Sequence, residues 1–334
     1  MSDIDISIEA LGPEIVAAYK ESGMDRGLRG AASIEWSFRA NPEPFAVARA
    51  QGRIVGVSSY ILTRMQFGAG VDATTGTAVQ AVDSFVVGDQ RGKGIFTRLA
   101  RAYDEYATRS GLDLVWGFPN DNAAPAWFNK LSWHPHGQVP FLIKPLRAGY
   151  ILRKLRLGFD FPLGFPSDQG LAPVTDIGAW ADVLWDNVSD TIACGTVRDR
   201  AYLSHRLLEP PHAASYRIIA DTSAEDPSIV ATTEADKHGG RIGYVMEALG
   251  GPRLKEILNS ELGRMRANGT EMALAWAFPS SPNYRVLRGA GFIPLPEMLR
   301  PIRVWFGTAP KSSAAADANR TSNWYISYLD SDTV

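Results

Sequence analysis

The sequence predicts an α/β (α+β) protein built from two tandem domains of the same kind. Its 334 residues are about twice the length of a common single domain, and 45% of them are apolar, enough for two hydrophobic cores. A stretch that reads as strand, turn and helix occurs twice, at residues 111–133 and 269–292. These features exclude a disordered or fibrous protein.

The repeated unit begins with an amphipathic helix. Apolar residues recur at near-helical spacing over 95–109 and over 254–267, which predicts one helix before each repeat. Further upstream, residues 45–62 predict a β-hairpin around a Gln-Gly turn, and 215–233 supply the corresponding strands of the second half. One succession of elements therefore builds both domains.

The repeat places the predicted domains at residues 1–150 and 151–310, followed by a C-terminal tail, 311–334. A basic stretch, 141–166, joins the two halves. Its composition is compatible with a membrane-surface helix or a phosphate-binding patch, but a strand and a solvated connecting helix are favoured because such charges are common on exposed faces.

Charge and cysteine content restrict the function. With 34 basic and 36 acidic residues the formal net charge is −2, so we expect neither a nucleic-acid nor a membrane partner. Cys194 is the only cysteine, which excludes an internal disulfide and a cysteine-cluster metal site. The amino terminus has acids where a signal peptide has bases, so we expect a cytoplasmic protein.

A glycine-bearing loop is the strongest functional signal. The apolar strand 81–87 leads through Gly88-Asp89-Gln90 into residues 91–96, where Gly92 and Gly94 allow several backbone N–H groups to face one ligand. The start of the following helix adds partial positive charge, and together these features suit a pyrophosphate. The spacing matches neither the Walker A nor the dinucleotide-binding pattern.

This loop resembles the coenzyme A signature of the GCN5-related N-acetyltransferase (GNAT) superfamily, and residues 120–133 resemble the Asn-bearing segment that follows it there. The resemblance implies a mixed, mostly antiparallel sheet flanked by helices in each domain, and acetyl-CoA or another acyl-CoA as donor substrate. We expect no metal, because the spacing of His134-Pro135-His136, without a nearby acidic or sulfur partner, is a weak metal-binding pattern. The chain is similar to two-lobed bacterial amino-sugar N-acyltransferases, whose tails end in an aromatic run like residues 324–332.

The resemblance also implies a set of residues that bind the donor: Phe85, Val86, Val87, Arg91, Gly92, Lys93, Gly94, Ile95, Phe96, Asn120, Asn122 and Phe128. The two asparagines are equally well explained as caps of the following helix. Phe128 stands where many family members have a tyrosine that protonates the departing thiolate, and a hydrocarbon ring has no proton to donate. Tyr103, Tyr106 or a water are the alternative proton donors, or the thiolate leaves without a dedicated acid.

Asp83 is the predicted catalytic residue. Acyl transfer to a protonated amine needs a general base that removes the proton. The Asp83 carboxylate lies in an otherwise apolar strand directly before the loop. Glu35 and Glu105 are weaker candidates, and a purely structural role for Asp83, capping a backbone or pairing an arginine, is equally compatible with the sequence. The resemblance further implies that a backbone N–H near Val86 and Val87 binds the thioester oxygen.

The sequence therefore predicts an N-acyltransferase that moves an acyl group from acyl-CoA to a small-molecule amine, such as an amino sugar or nucleotide-linked amino sugar, by direct attack in a ternary complex. A non-enzymatic CoA-binding scaffold and an aminoacyl-tRNA-dependent transferase are the alternatives, and the near-neutral charge disfavours the latter.

The second domain has Pro252 in the equivalent loop, so we expect it not to bind CoA. A homodimer is the commonest assembly to expect.

Overall fold

A computed structural model describes residues 4–24, 31–164, 168–237, 239–300 and 302–331. The chain forms two compact units, called the first and second domains below. The first comprises Met1–Phe67, Thr74–Gln138 and Arg303–Thr321, and the second comprises Gly68–Ala73, Val139–Ile302 and Ser322–Val334.

The strands of the described residues follow one another in this order: β1 (Ile4–Glu9), β2 (Phe45–Ala50), β3 (Arg53–Phe67), β4 (Thr74–Val86), β5 (Leu114–Gly117), β6 (His134–Gln138), β7 (Phe141–Pro145), β8 (Cys194–Thr196), β9 (Arg217–Asp221), β10 (Ser228–Lys237), β11 (Gly240–Gly250), β12 (Met272–Trp276), β13 (Ile293–Pro294) and β14 (Trp305–Pro310).

The helices in the same part of the chain are α1 (Pro13–Ser22), α2 (Ala31–Phe38), α3 (Ile95–Arg109), α4 (Ala124–Lys130), α5 (Gly149–Lys154), α6 (Trp180–Ser189), α7 (Arg200–Leu207), α8 (Leu254–Ala267) and α9 (Pro282–Gly289). Both helices predicted upstream of the repeats, α3 and α8, have the predicted bounds. None of the helices in the described ranges combines the length and apolarity needed to cross a bilayer.

Each domain contains a mixed, mostly antiparallel sheet. In the first domain the strands run β1-β2-β3-β4-β5-β14-β6, with β4 and β5 parallel and joined by α3. In the second domain the order is β13-β7-β12-β11-β10-β9, with β11 and β12 parallel and joined by α8. The repeated crossover and the predicted fold class are confirmed.

The predicted hairpin at 45–62 forms from β2 and β3. Gln51 and Gly52 both have left-handed backbone angles, with φ of 52° and 80°. A two-residue turn of this kind has the twist that antiparallel strands require.

The observed domains differ from the predicted boundaries at residues 150 and 310. Strand β7 precedes residue 150 but pairs with β12 of the second domain, and β14 follows the second repeat but pairs with β5 of the first. Each sheet thus receives a strand from the other half of the sequence. The repeat alone does not reveal this exchange, because the pairing joins segments far apart in the chain.

Helix α3 packs across the first sheet. Its buried side chains Leu99, Tyr103 and Ala107 recur every four residues and belong to the core cluster that also contains Ala46 and Val79. A second cluster on this domain includes residues of α1 and α2. In the second domain α8 contributes Ile257, Leu258 and Leu262 to a comparable core.

Candidate functional site

A cleft opens where β4 and β5 separate. The two strands pair in parallel from Ala78 and Leu114 to Ala81 and Gly117, where β5 ends while β4 continues. A Cβ atom on Gly117 would lie 2.7 Å from the carbonyl oxygen of Ala81, so glycine permits this close approach. Beyond it, the edge of β4 has no β5 partner among the described residues and is open to a ligand.

A β-bulge lies at the same point of β4. Its pairing with β3 shifts between Ser58 opposite Ser84 and Tyr60 opposite Ala81, so β4 has one additional residue over this interval. Bulges of this kind bend a strand and redirect side chains. Asp83 lies within the bulge and is partly exposed.

The backbone beyond the bulge alternates in direction. The N–H of Val87 donates to the carbonyl of Val55 at 3.0 Å and therefore faces β3. Because successive residues of a strand direct their polar groups to opposite sides, the N–H and carbonyl of Val86 face the cleft. Of the two residues expected to bind the thioester oxygen, Val86 has the suitable orientation and Val87 does not.

The glycine loop leads directly into α3. Gly92 and Gly94 have φ of 79° and 73°, left-handed angles that favour glycine, and Gly94 is the helix N-cap without a side-chain capping bond. Among the hydrogen bonds of the described residues, none is donated by the backbone N–H groups of 92–96. N–H groups without acceptors at a helix start, together with the helix dipole, are the arrangement that an anion requires.

The basic side chains of the loop are held at its edge. Arg91 donates from Nε to the carbonyl of Val86 at 3.0 Å, which brings its guanidinium to the end of β4. Lys93 donates from Nζ to Oε1 of Gln90 at 2.8 Å and is exposed. Both side chains remain beside the N–H groups that would bind phosphate.

The cleft widens into a cavity of about 920 Å³. Of the predicted binding residues, seven line it: Phe85, Val86, Val87, Arg91, Phe96, Asn120 and Asn122. Gly92, Lys93, Gly94 and Ile95 are not among the lining residues, and neither is the predicted base, Asp83, although its neighbour Ser84 is.

Asn120 uses its side-chain oxygen within its own turn. Its Oδ1 accepts the N–H groups of Asn122 and Ala123 at 3.0 and 3.1 Å, at the start of α4. The helix-capping explanation therefore applies to this oxygen, and Asn120 is also one of the residues that line the cavity.

Phe128 lies away from the cavity lining. Its ring packs against Trp305 with centroids 6.2 Å apart, and a Cβ atom on Gly307 would lie 2.6 Å from its Cε1. Phe128 thus packs against β14 and does not line the cavity, so its contact with the donor stays a prediction.

The two tyrosines considered as acids are also absent from the lining of the cavity. Tyr103 is buried, donates its hydroxyl to the carbonyl of Glu43 at 3.2 Å and stacks on Tyr60 with centroids 3.5 Å apart. Burial raises the pKa of Tyr103 and that of Tyr106 above the usual range for tyrosine. Neither lines the cavity, and the alternative bases Glu35 and Glu105 are exposed elsewhere.

The structure adds lining residues that the sequence did not indicate. Helix α1 contributes Ala18, Glu21 and Ser22, and β3 contributes Arg53 and Ile54. They belong to no motif and precede the repeated unit, so their place at the cavity follows only from tertiary packing.

A chain of hydroxyl groups leads inward from the cavity. Ser84 Oγ is 2.9 Å from Ser58 Oγ, which in turn donates to the hydroxyl of Tyr60 at 3.1 Å. Burial raises the pKa of Tyr60, so its phenol stays protonated and the chain consists of neutral hydroxyls. Of these three hydrogen-bonded residues, Ser84 is the one that lines the cavity.

The corresponding cleft of the second domain contains the C-terminal segment. The parallel pairing of β11 and β12 ends at Tyr244 and Leu274, although both strands continue. Tyr328 stacks on Trp276 with centroids 4.4 Å apart and meets the edge of Tyr244 at 5.5 Å. Trp324 to Asp330 are buried, whereas Asp332 of the tail motif lies outside the described residues.

Two polar side chains hold this segment in the cleft. Asn283 donates from Nδ2 to the carbonyl of Ile326 at 2.9 Å, and Glu247 of β11 accepts the hydroxyls of Ser327, at 3.0 Å, and Tyr325. The second cleft is therefore occupied by the chain itself.

No group of three or more metal-ligating side chains occurs in the part of the chain that the structure describes. His136, of the His-Pro-His sequence, is bonded through its two ring nitrogens to the hydroxyls of Thr321, at 2.9 Å, and Thr308, at 2.8 Å. These bonds occupy both nitrogens of this imidazole.

Solved structures with the same fold are found over nearly the whole chain. A GCN5-related N-acetyltransferase from Anabaena variabilis has a TM-score of 0.61 at 10% identity, covering 92% of this chain and 73% of that one. One from Kribbella flavida has a TM-score of 0.60 at 12% identity, covering 94% and 73%. Saccharomyces cerevisiae N-myristoyltransferase with bound myristoyl-CoA has a TM-score of 0.54 at 11% identity, covering 92% and 83%.

Comparison with protein-family models gives no match, and comparison with curated protein sequences finds no relative. The likeness to these structures is therefore one of fold and not of sequence. It confirms the fold that the resemblance of the glycine loop implied. The chain has the fold of the GCN5-related N-acetyltransferases, with one α/β unit of this kind in each of its two domains.

Proposed function

We propose that the protein is an N-acyltransferase that moves an acyl group from acyl-CoA to the amine of a small molecule, such as an amino sugar or a nucleotide-linked amino sugar. One observation carries this proposal. The edge of β4 beyond Ala81 is open, and the loop that follows β4 ends in α3, at whose start the backbone N–H groups of 92–96 donate no hydrogen bond among the described residues. The pyrophosphate of CoA binds the N–H groups of 92–96, and the pantetheine arm extends along β4 past Asn120.

The reaction proceeds by direct transfer. Asp83 accepts a proton from the ammonium form of the acceptor, and the free amine attacks the thioester carbonyl carbon. The N–H of Val86 stabilises the oxyanion, since it faces the cleft. The C–S bond then breaks, the nitrogen loses its extra proton as the amide forms, and this proton goes to the CoA thiolate, which leaves as the thiol.

Ser84 replaces the missing tyrosine in this scheme. Ser84 lines the cavity and is bonded to Ser58, whose own proton is donated to Tyr60. When the Ser84 hydroxyl rotates away from Ser58, its proton can be donated to the developing thiolate. Glu21 and Asp89 also line the cavity, and their carboxylates suit a cationic amine acceptor.

The test is release of CoA thiol from acetyl-CoA and longer acyl-CoAs in the presence of a panel of amines that includes amino sugars and nucleotide-linked amino sugars. Acceptor-dependent release, with the N-acylated product identified by mass spectrometry, supports the proposal. Binding of CoA without release for any amine would instead identify a non-enzymatic CoA-binding protein.

A further inference from the structure

A short segment of the second domain exposes many apolar side chains. Residues 149–161 comprise α5 and the extended chain after it, and this stretch was assigned from sequence to a solvated connection. Five of its large apolar side chains face solvent: Ile151 (44% exposed), Leu155 (65%), Leu157 (44%), Phe159 (69%) and Phe161 (51%).

The segment is fixed at its base. Asp160 pairs with Arg147 at 2.7 Å and accepts the N–H of Gly149 at 2.9 Å, which ties its far end to its beginning. Arg153 pairs with the buried Glu271 at 2.6 Å. The apolar side chains are therefore held out from the domain by specific contacts, and exposure of two phenylalanines in one short stretch indicates a binding surface.

The charge of the segment selects the partner. From Arg147 onward the segment contains four basic residues and one acid, Asp160. Arg147 is paired with Asp160 and Arg153 with Glu271, so Lys154 and Arg156 are the bases that these two ion pairs leave to give the segment its positive charge. Apolar side chains interspersed with bases suit an anionic bilayer surface. Two copies of the chain meeting through this segment would instead bring like charges together.

We propose that residues 149–161 dock on the surface of an anionic lipid bilayer, with Leu155 and Phe159 entering the interface and Arg156 close to the lipid phosphates. The expectation of no membrane partner followed from the net charge of −2, which describes the whole chain and not this local surface. The exposed side chains were not evident in the sequence, because its apolar residues read equally well as core.

The test is co-sedimentation of the full chain with vesicles of phosphatidylcholine alone and of phosphatidylcholine mixed with phosphatidylglycerol. We expect binding to the anionic vesicles that weakens with added salt. Phe159→Ser should lower the vesicle affinity at least about tenfold, because it removes a large apolar side chain. Arg156→Gln should lower it about fivefold, the effect typical of one base at an anionic surface.

Met298→Ser is the matched control, because it removes another exposed apolar side chain, 88% exposed, from outside the segment. It should leave vesicle binding unchanged, and circular dichroism should show all variants folded. No binding to anionic vesicles at low salt would overturn the proposal. So would equal binding by Phe159→Ser, or a concentration-dependent dimer that this variant abolishes.

Discussion

Asp83 and Val86 owe their proposed roles to strand geometry. The bulge places a partly exposed carboxylate one residue before Ser84, which lines the cavity, and the alternation of β4 directs the N–H of Val86 into the cleft. The proposed base and the proposed oxyanion donor thus lie three positions apart in one strand.

Asp83→Asn tests the base directly. An amide cannot accept the ammonium proton, so we expect kcat to fall by about 10²- to 10⁴-fold while the affinity for CoA is retained. Steady-state kinetics and a CoA titration measure the two effects. Glu105→Gln is the control, because it neutralises an exposed acid outside the cavity and should keep near-normal turnover. Near-normal turnover of Asp83→Asn would remove Asp83 from the role.

The sequence predicted part of this site and missed the rest for a physical reason. Arg91 and Asn120 could be identified because loop glycines and turn asparagines are local signals. Glu21 and Arg53 line the same cavity through packing of α1 and β3, which leaves no pattern in the sequence. The packing of Phe128 on β14 could not be predicted, because the family pattern gives a position along the chain but not the neighbour against which a side chain packs.

His136 makes stability depend on pH. Burial, with a smaller effect of the neighbouring His134, lowers the pKa of His136 to about 3, against 6.5 in an unfolded chain. Between these values the unfolded state binds a proton that the folded state does not, so stability is complete above pH 6.5 and falls as the pH is lowered. We expect this residue to cost ~1.4 kcal/mol between about pH 7.5 and pH 5.5.

Urea unfolding at both pH values checks this expectation. His136→Gln has no titrating ring, so its free energy of unfolding should fall by ~1.4 kcal/mol less than that of the parent over the same interval. An identical pH dependence in both proteins would contradict the assignment. Comparing differences in this way cancels the other groups that titrate in this range.

At the scale of elements, local and distant pairing differ in how well the sequence predicts them. Helices α3 and α8 and the hairpin of β2 and β3 were predicted because periodicity and turn residues are local. The exchange of β7 and β14 between sheets was not, because it depends on hydrogen bonds between distant segments. The docking of the tail in the second cleft is of the same kind.

The tail is anchored by a buried charge cluster. Arg198 is fully buried and pairs with Glu247 at 3.1 Å and with Asp330 of the tail. Arg198→Met would leave two carboxylates buried without their cation, and we expect a loss of about 3–5 kcal/mol in the free energy of unfolding.

Arg253→Met is the control for this variant. Its half-exposed guanidinium pairs with Asp221 at 3.2 Å and Glu256 at 3.3 Å, and loss of such a surface pair should change the free energy of unfolding only slightly. Urea unfolding measures both variants. Equal, small losses would show that the cluster does not hold the tail.

For the whole molecule, the two domains share a topology but differ at their clefts. The first has a loop with unbonded N–H groups and an open strand edge. The second has Pro252 in its loop, and Tyr328 on Trp276 in its cleft. Two independent differences, a lost donor and an occupied cleft, thus act against CoA binding in the second domain.

The expected result is one CoA site per chain, measured by isothermal titration calorimetry. Gly94→Val should abolish this site, because a β-branched residue does not readily adopt the φ of 73° found there. Pro252→Ala restores an N–H donor to the second loop but leaves the tail in its cleft, so the stoichiometry should stay at one. Two equal sites in the parent chain would contradict the assignment. A second site in Pro252→Ala would show that the proline alone, and not the docked tail, prevents binding in the second domain.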